Sequence, residues 1–156
     1  MENPKKNAEE TEGGKRRRRV RSKKDQEEKE PDYRLMIRPG LAEELYEGIL
    51  RIIITEKKYR DPSYSAKQLA IDLKTNTRYI SAVVNSCFGK NFSSLINEYR
   101  VKDALRLLVD RRYAGKTIEE ISAMVGFSNR QSFYTAFGRI TGETPHNYRK
   151  RNGFIL

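Results

Sequence analysis

Two stretches of this chain repeat each other, and a duplicated unit restricts the possible folds more tightly than any single motif can. Leu69 and Ala70 answer Ile121 and Ser122 at an offset of 52 residues, and Ile80, Val84, Gly89 and Phe92 answer Phe133, Phe137, Gly142 and Pro145 at an offset of 53. The second connection is therefore one residue longer. Each copy reads as a short helix containing a small residue, a tight connection (Leu73 to Asn76, Val125 to Asn129), and a second helix with apolar residues four apart. That is a helix-turn-helix layout, in which the small side chain lets two helices cross closely. Residues 65–89 form the first unit and 117–142 the second. Between them, residues 92–110 carry Leu95, Ile96, Tyr99, Ala104, Leu105, Leu107 and Leu108 at helical spacing and predict one long linking helix.

The remaining elements also read as helices. Leu41, Leu45, Ile49, Ile52 and Ile53, with Tyr46, Leu50 and Ile54 beside them, predict a first helix over 41–54 that ends before Asp61-Pro62-Ser63. Asn76 is a good cap for the helix carrying Ile80, Val83, Val84 and Phe88, which Gly89 ends. Thr117 and Glu120 have the spacing of a capping box, Ser128 or Asn129 opens the helix of Phe133, Phe137 and Ile140, all three facing inward, and Thr144-Pro145 begins a last short one. No segment has the alternation of a strand. The chain is expected to be all-α, with about seven helices.

Charge divides it differently. The net charge is +11, which points to a polyanionic partner, nucleic acid first. Residues 1–40 hold 13 Lys/Arg and 9 Asp/Glu, with almost no aliphatic residue before Leu35, too little to offset ordering entropy. Residues 1–34 are thus read as a disordered charged tail and 35–156 as the folded domain. Eight positive charges in Lys15–Lys24 suit either a non-specific phosphate-binding arm or a solvated tail paired with the acidic run that follows. One cysteine (Cys87) and one histidine (His146) exclude an internal disulfide and are too few for a thiolate or imidazole metal site, so no metal or cofactor is expected. Nothing reads as a membrane span or secretory leader, and the expected location is cytoplasmic. No constellation suggests catalysis: the carboxylates lie among Lys and Arg, and Gly89-Lys90 lacks the rest of a phosphate-binding loop.

The most specific stretch runs from Ile118 to Arg149: Ile121, Val125-Gly126-Phe127-Ser128, Phe133, Phe137, Thr141-Gly142, Thr144-Pro145 and Tyr148-Arg149. The first unit keeps Leu69, Ala70, Ile80, Val84, Phe88-Gly89, Phe92 and Arg100. Together these residues resemble the AraC family of bacterial transcription regulators, whose DNA-binding domain is two helix-turn-helix units joined by a long helix. The resemblance covers about 65–150 and is weaker in the first unit, where Lys74 and Thr75 stand in place of the usual Gly and aromatic; Ser122 replaces the second unit's usual Ala. It implies a sequence-specific regulator of the small stand-alone kind, with double-stranded DNA as partner and RNA polymerase as a candidate second one. A monomer would suffice, because a helix of about 18 residues spans roughly 27 Å and, with its flanking turns, approaches one turn of B-DNA, roughly 34 Å.

The periodicity then nominates the DNA-facing residues. In the second unit the inward Phe133 and Phe137 leave Arg130, Gln131, Tyr134 and Thr135 on the exposed N-terminal half, coincident with the family's base-reading positions; Arg can bond guanine bidentately and Gln can bond adenine. The equivalents in the first unit are Arg78, Ser81, Ala82 and Asn85, of which Arg78 is the best candidate for a guanine, with phosphate contact as its alternative. Candidate phosphate contacts are Asn76, Thr77, Lys90, Thr117, Ser128 and Asn129, at or near helix starts where exposed amides favour anions; each also reads as an ordinary cap or surface group. Arg100 is expected to ion-pair within the linking helix, with Glu98 or Asp103 available. Tyr148-Arg149-Lys150-Arg151 reads as a terminal backbone clamp, with Tyr148 also suited to packing on the second unit. Cys87 is expected to be buried and inert, and His146 a surface or packing residue. Two other readings stay open: a protein-interaction adaptor that keeps the fold without reading bases, and a non-specific DNA-coating protein driven by the tail. Weak dimerisation through the 41–54 helix also stays open.

Overall fold

A computed structural model describes residues 38–153; the tail assigned to 1–34 lies outside the described residues. Among those described, every regular element is helical. The first helix, α1 (Pro39–Leu50), runs into a π-helical turn at Arg51–Thr55, a 3₁₀ turn follows at Lys58–Arg60, and α2 (Ala66–Asp72), α3 (Thr77–Phe88) and α4 (Phe92–Val109) complete the first half. After a 3₁₀ turn at Arg111–Tyr113 come α5 (Ile118–Met124), α6 (Arg130–Thr141) and α7 (Pro145–Asn152). The expected single helix over 41–54 is thus corrected at its end. The last turn is π-helical, with Glu56 N–H on Arg51 C=O at 3.1 Å, while Ile52 and Ile53 stay buried on the face of Ile49 and Ile54 is exposed.

Side-chain caps set most of the helix starts. Ser65, Asn76, Asn91, Asn129 and Thr144 each accept from an amide in the first turn of the helix they precede, and Thr117 with Glu120 forms the reciprocal capping box. The repeat is as close in geometry as in sequence. Thr75 N–H bonds Ala70 C=O at 2.8 Å and Phe127 N–H bonds Ser122 C=O at 3.1 Å, while Lys74 and Gly126 donate to Ile71 and Ala123, so both short helices end in the same Schellman turn. Such a turn places one residue in the left-handed region. Gly126 takes it with φ +102°, and Lys74, where the resemblance expects glycine, adopts it with φ +50°.

Two cores result, and α4 belongs to both. Leu45, Ile49, Ile52, Ile53, Tyr59, Leu69, Ile80, Val83 and Val84 surround Leu95 and Ile96 from the first half of α4. Val101, Ala104, Leu107 and Leu108 from its second half pack with Ile121, Val125, Phe127, Phe133, Ala136 and Phe137. Phe133 centres the second core, with ring centroids 5.1 Å from Phe127 and 5.5 Å from Phe137. Tyr148 of α7 closes this stack on Phe137 at 5.9 Å, the packing role its sequence position suggested. Ile140, expected inside, is instead 38% exposed. Thr141 sits one helical step below Phe137, its hydroxyl bonding the Phe137 carbonyl at 2.8 Å, and Ile140 is left at the edge.

Candidate nucleic-acid interface

The second helix of each unit is 12 residues long, starts at an asparagine cap and ends at a glycine in the left-handed conformation. Burial of Ile80, Val83 and Val84 in α3, and of Phe133, Ala136 and Phe137 in α6, fixes which side of each helix faces out. On α3, Arg78, Ser81 and Asn85 are exposed, while Ala82 is half-buried against the first core. On α6, Arg130, Gln131 and Thr135 are exposed and Tyr134 is half-buried, its ring edge-on to Phe133 at 5.9 Å. Tyr134 and Ala82 therefore divide their surface between core and solvent.

Arg130 is not a loose side chain. Its guanidinium lies 4.8 Å from the Tyr134 ring centroid and 3.1 Å from the Glu119 carboxylate of α5, which holds it over the outer face of α6. Both members of this ion pair are solvent-exposed, and a phosphate or guanine could replace Glu119 at little cost. Asn76, Thr77, Arg78 and Tyr79 line a shallow concavity at the start of α3. A second concavity is lined by Gln131, Ser132, Thr135, Ala136 and Arg139 of α6 together with Asn97 of α4. Arg139 and Asn97 were not singled out from the sequence. Arg139 lies four residues beyond Thr135 and was reachable by spacing; Asn97 comes from another element, and only the fold brings it beside α6.

The nominated phosphate-contact residues fall into two groups. The side-chain oxygens of Asn76, Asn129 and Thr117 already accept from Tyr79, Ser132 and Glu120 amides at 2.9, 2.8 and 3.0 Å, and Lys90 is ion-paired with Glu98. Thr77 and Ser128 are exposed at the starts of α3 and α6.

Three sequence expectations are corrected around these helices. Arg100 does not pair with Glu98 or Asp103. It is buried, and donates through Nε to the Tyr59 carbonyl at 2.7 Å and through Nη2 to the Asp61 carbonyl at 3.0 Å, because the segment after the π turn folds across α4. Arg149 does not belong to an outward clamp: it donates to the carbonyls of Leu108, Lys116 and Tyr113, tying α7 to the end of α4 and the loop after it. Cys87 is exposed, since Phe88 rather than Cys87 turns inward, packing on Tyr46 at 5.4 Å.

Two structurally equivalent helix-turn-helix units on a shared helix, each presenting the N-terminal half of its second helix, define a double helix-turn-helix protein. A family model described as "Helix-turn-helix domain" matches residues 69–151, and the chain belongs to this AraC-type family of DNA-binding transcription regulators, which are not enzymes. It is 27% identical over 90 residues to the melibiose operon regulatory protein of Escherichia coli K12, covering 58% of this chain and 29% of that one. The C-terminal domain of the two-component response regulator yesN from Fusobacterium nucleatum is 28% identical with a TM-score of 0.57, covering 69% of this chain and 97% of that one. The DNA-binding domain of AdpA, solved in complex with a target DNA, shares the fold at 21% identity and a TM-score of 0.59, over 69% of this chain and 90% of that one. The chain spans 10% to 29% of the length of the curated relatives it matches. Among the described residues, no helix is long and apolar enough to cross a membrane.

Proposed function

We propose that this chain is a sequence-specific transcription regulator that binds double-stranded DNA by placing α3 and α6 in two successive major-groove segments. The observation that carries this reading is the duplication itself: two matching units, each with an exposed recognition-helix face, held on opposite halves of one 18-residue helix of about 27 Å. With the flanking turns, that length suits a separation of about one turn of B-DNA. Two helices on one chain provide what other helix-turn-helix proteins obtain by dimerising, so a monomer suffices.

In this reading Arg78 and Arg130 are the principal base readers, suited to guanine, with Gln131 suited to adenine. Tyr134 and Thr135, and on the other helix Ser81, Ala82 and Asn85, supply smaller contacts, Ala82 by close approach or a thymine methyl. Thr77 and Ser128 bind phosphate with the first-turn amides of α3 and α6, where the helix dipole favours an anion. Asn76 and Asn129 cap α3 and α6 beside those amides, Thr117 does the same at the start of α5, and Lys90 reaches phosphate by exchanging Glu98. RNA polymerase is the candidate second partner in this reading.

The test is selection of bound sites from a random duplex library with the full chain at about 150 mM salt, where non-specific affinity is already much weakened. The expected product is a bipartite site with two short blocks about 10 base pairs apart. Arg78→Ala and Arg130→Ala should each cost roughly 1–3 kcal/mol and relax the preference at one position in one block. Absence of any enriched sequence would refute base reading and leave the adaptor or DNA-coating alternatives.

A further inference from the structure

The segment between the π turn and α2 is tied to three elements at once. On the first unit, Lys58 Nζ and Tyr64 Oη both donate to Asp72 of α2, at 3.0 and 2.8 Å, and the Tyr59 ring is buried in the first core. On α4, Asp103 accepts from Tyr59 Oη at 3.2 Å and from Arg60 Nε at 2.8 Å, with Arg106 at 2.8 Å on its other oxygen. Arg100, one helical turn before Asp103, holds the carbonyls of Tyr59 and Asp61. The third partner is the turn of the second unit. Its Gly126 lies so close to the Tyr59 and Arg60 backbone that a Cβ there would overlap the Tyr59 carbonyl oxygen, and its Phe127 ring lies 5.6 Å from the Arg100 guanidinium.

Each unit packs on its own half of α4, so α4 is one connection between the two. The 58–61 segment closes a second, off-axis connection from the first unit to the turn that precedes α6. We propose that this segment, with Arg100 and Asp103, is an interlobe clamp that fixes the distance and angle between α3 and α6 and thereby makes the chain selective for the spacing between the two halves of its DNA site. Arg100, Asp103 and Arg60 are positioning residues here, acting through the clamp rather than by touching DNA. The inference rests on the two-helix reading above. One base pair of added spacing displaces the second half-site by about 3.4 Å along the duplex and rotates it by about 35°, a mismatch that a clamped pair of helices cannot follow.

The experiment compares the full-length wild type, Arg100→Met and the milder Arg60→Met on four sets of duplexes. These carry the selected bipartite site, the same site with one base pair added, the same with one removed, and each block alone. The wild type should prefer the selected spacing by about tenfold or more, the loss expected when one bidentate base contact is abandoned. In the clamp variants that preference should fall to about threefold or less, with affinity for single blocks and the base preferences inside them unchanged. A general loss of fold would instead lower binding to every duplex, single blocks included, and thermal unfolding of each variant separates the two; Arg60, exposed on one side, keeps the test open if Arg100→Met does not fold. Variants that fold and retain the wild-type spacing preference overturn the clamp while leaving the two-helix reading intact. A wild type that binds single blocks as well as the bipartite site overturns the two-helix reading and the clamp with it.

Discussion

Gly126→Ala isolates the contact between the two units and has controls inside the same molecule. At φ +102° the backbone of Gly126 lies in the left-handed region, where a Cβ costs roughly 1–2 kcal/mol. Gly89 and Gly142, at φ +65° and +78°, lie nearer the centre of the left-handed well and carry no more than that cost, and a Cβ on either meets nothing within 4 Å. At Gly126 a Cβ would overlap the Tyr59 carbonyl oxygen and lie 2.9 Å from both Arg100 Nε and the Arg60 carbonyl carbon. These are backbone atoms and a buried guanidinium, none of them the free end of a flexible side chain. The segment must move outward, and the 2.7 Å bond from Arg100 Nε to the Tyr59 carbonyl goes with it. Losing a buried bond of this kind costs about 1–3 kcal/mol. Gly126→Ala should therefore destabilise by about 2–5 kcal/mol, against about 1–2 kcal/mol for Gly89→Ala or Gly142→Ala. Urea unfolding monitored by circular dichroism measures all three. A Gly126→Ala value within about 0.5 kcal/mol of the Gly89→Ala value would refute the close docking of the second turn on the 58–61 segment.

Other consequences can be measured with the same preparations. Phe133→Ala, at the centre of the second core and wholly buried, should cost about 3–5 kcal/mol in urea unfolding, and a cost under about 1 kcal/mol would contradict the aromatic stack. Thr117→Ala removes the capping box and should lose about 1 kcal/mol of stability; if Thr117 served only phosphate, stability would be untouched and the salt dependence of DNA binding would change instead. Burial works against ionising Asp103, but hydrogen bonds from Arg106 and Arg60 outweigh it, while bonds from Tyr64 and Lys58 hold Asp72 down as well, so both carboxyls lie below the ordinary aspartate value of 3.8. Their contribution is complete above that value and is lost as pH falls through the depressed folded-state values. Urea midpoints should thus fall on acidification through this range, and Asp103→Asn should flatten the fall; an unaltered profile would refute the assignment. Burial, then the Asp103 charge, pushes the Tyr59 hydroxyl above 10.0, so its contribution persists up to that pH and is lost as pH rises further, and Tyr59→Phe should remove that alkaline loss.

The local order of the chain is written locally. Caps at Asn76, Thr117 and Thr144, the glycines ending α3 and α6, and apolar residues three and four apart depend on interactions within a turn or two of helix, and so the helices, their duplication and the outward faces of α3 and α6 are legible in the amino-acid sequence itself. The family resemblance and the class of function follow from the same short-range pattern. Tertiary structure decided what depends on partners distant in sequence. Arg100, with Glu98 and Asp103 on its own helix, was open to an intrahelical pair; it bonds instead to carbonyls 41 and 39 residues away, because the turn after α1 exposes them to it. Arg149 is likewise taken up by carbonyls 33 to 41 residues distant. That the first helix ends in a π turn at Arg51–Thr55 is not encoded in helical periodicity, and the placing of Asn97 beside Gln131 and Thr135 depends on how α6 crosses α4. Periodicity fixes which side of a helix is buried; what covers that side, and which long polar side chain finds an unpaired backbone group, is settled only when the helices pack, since a buried carbonyl must be bonded by whatever donor the fold brings within reach.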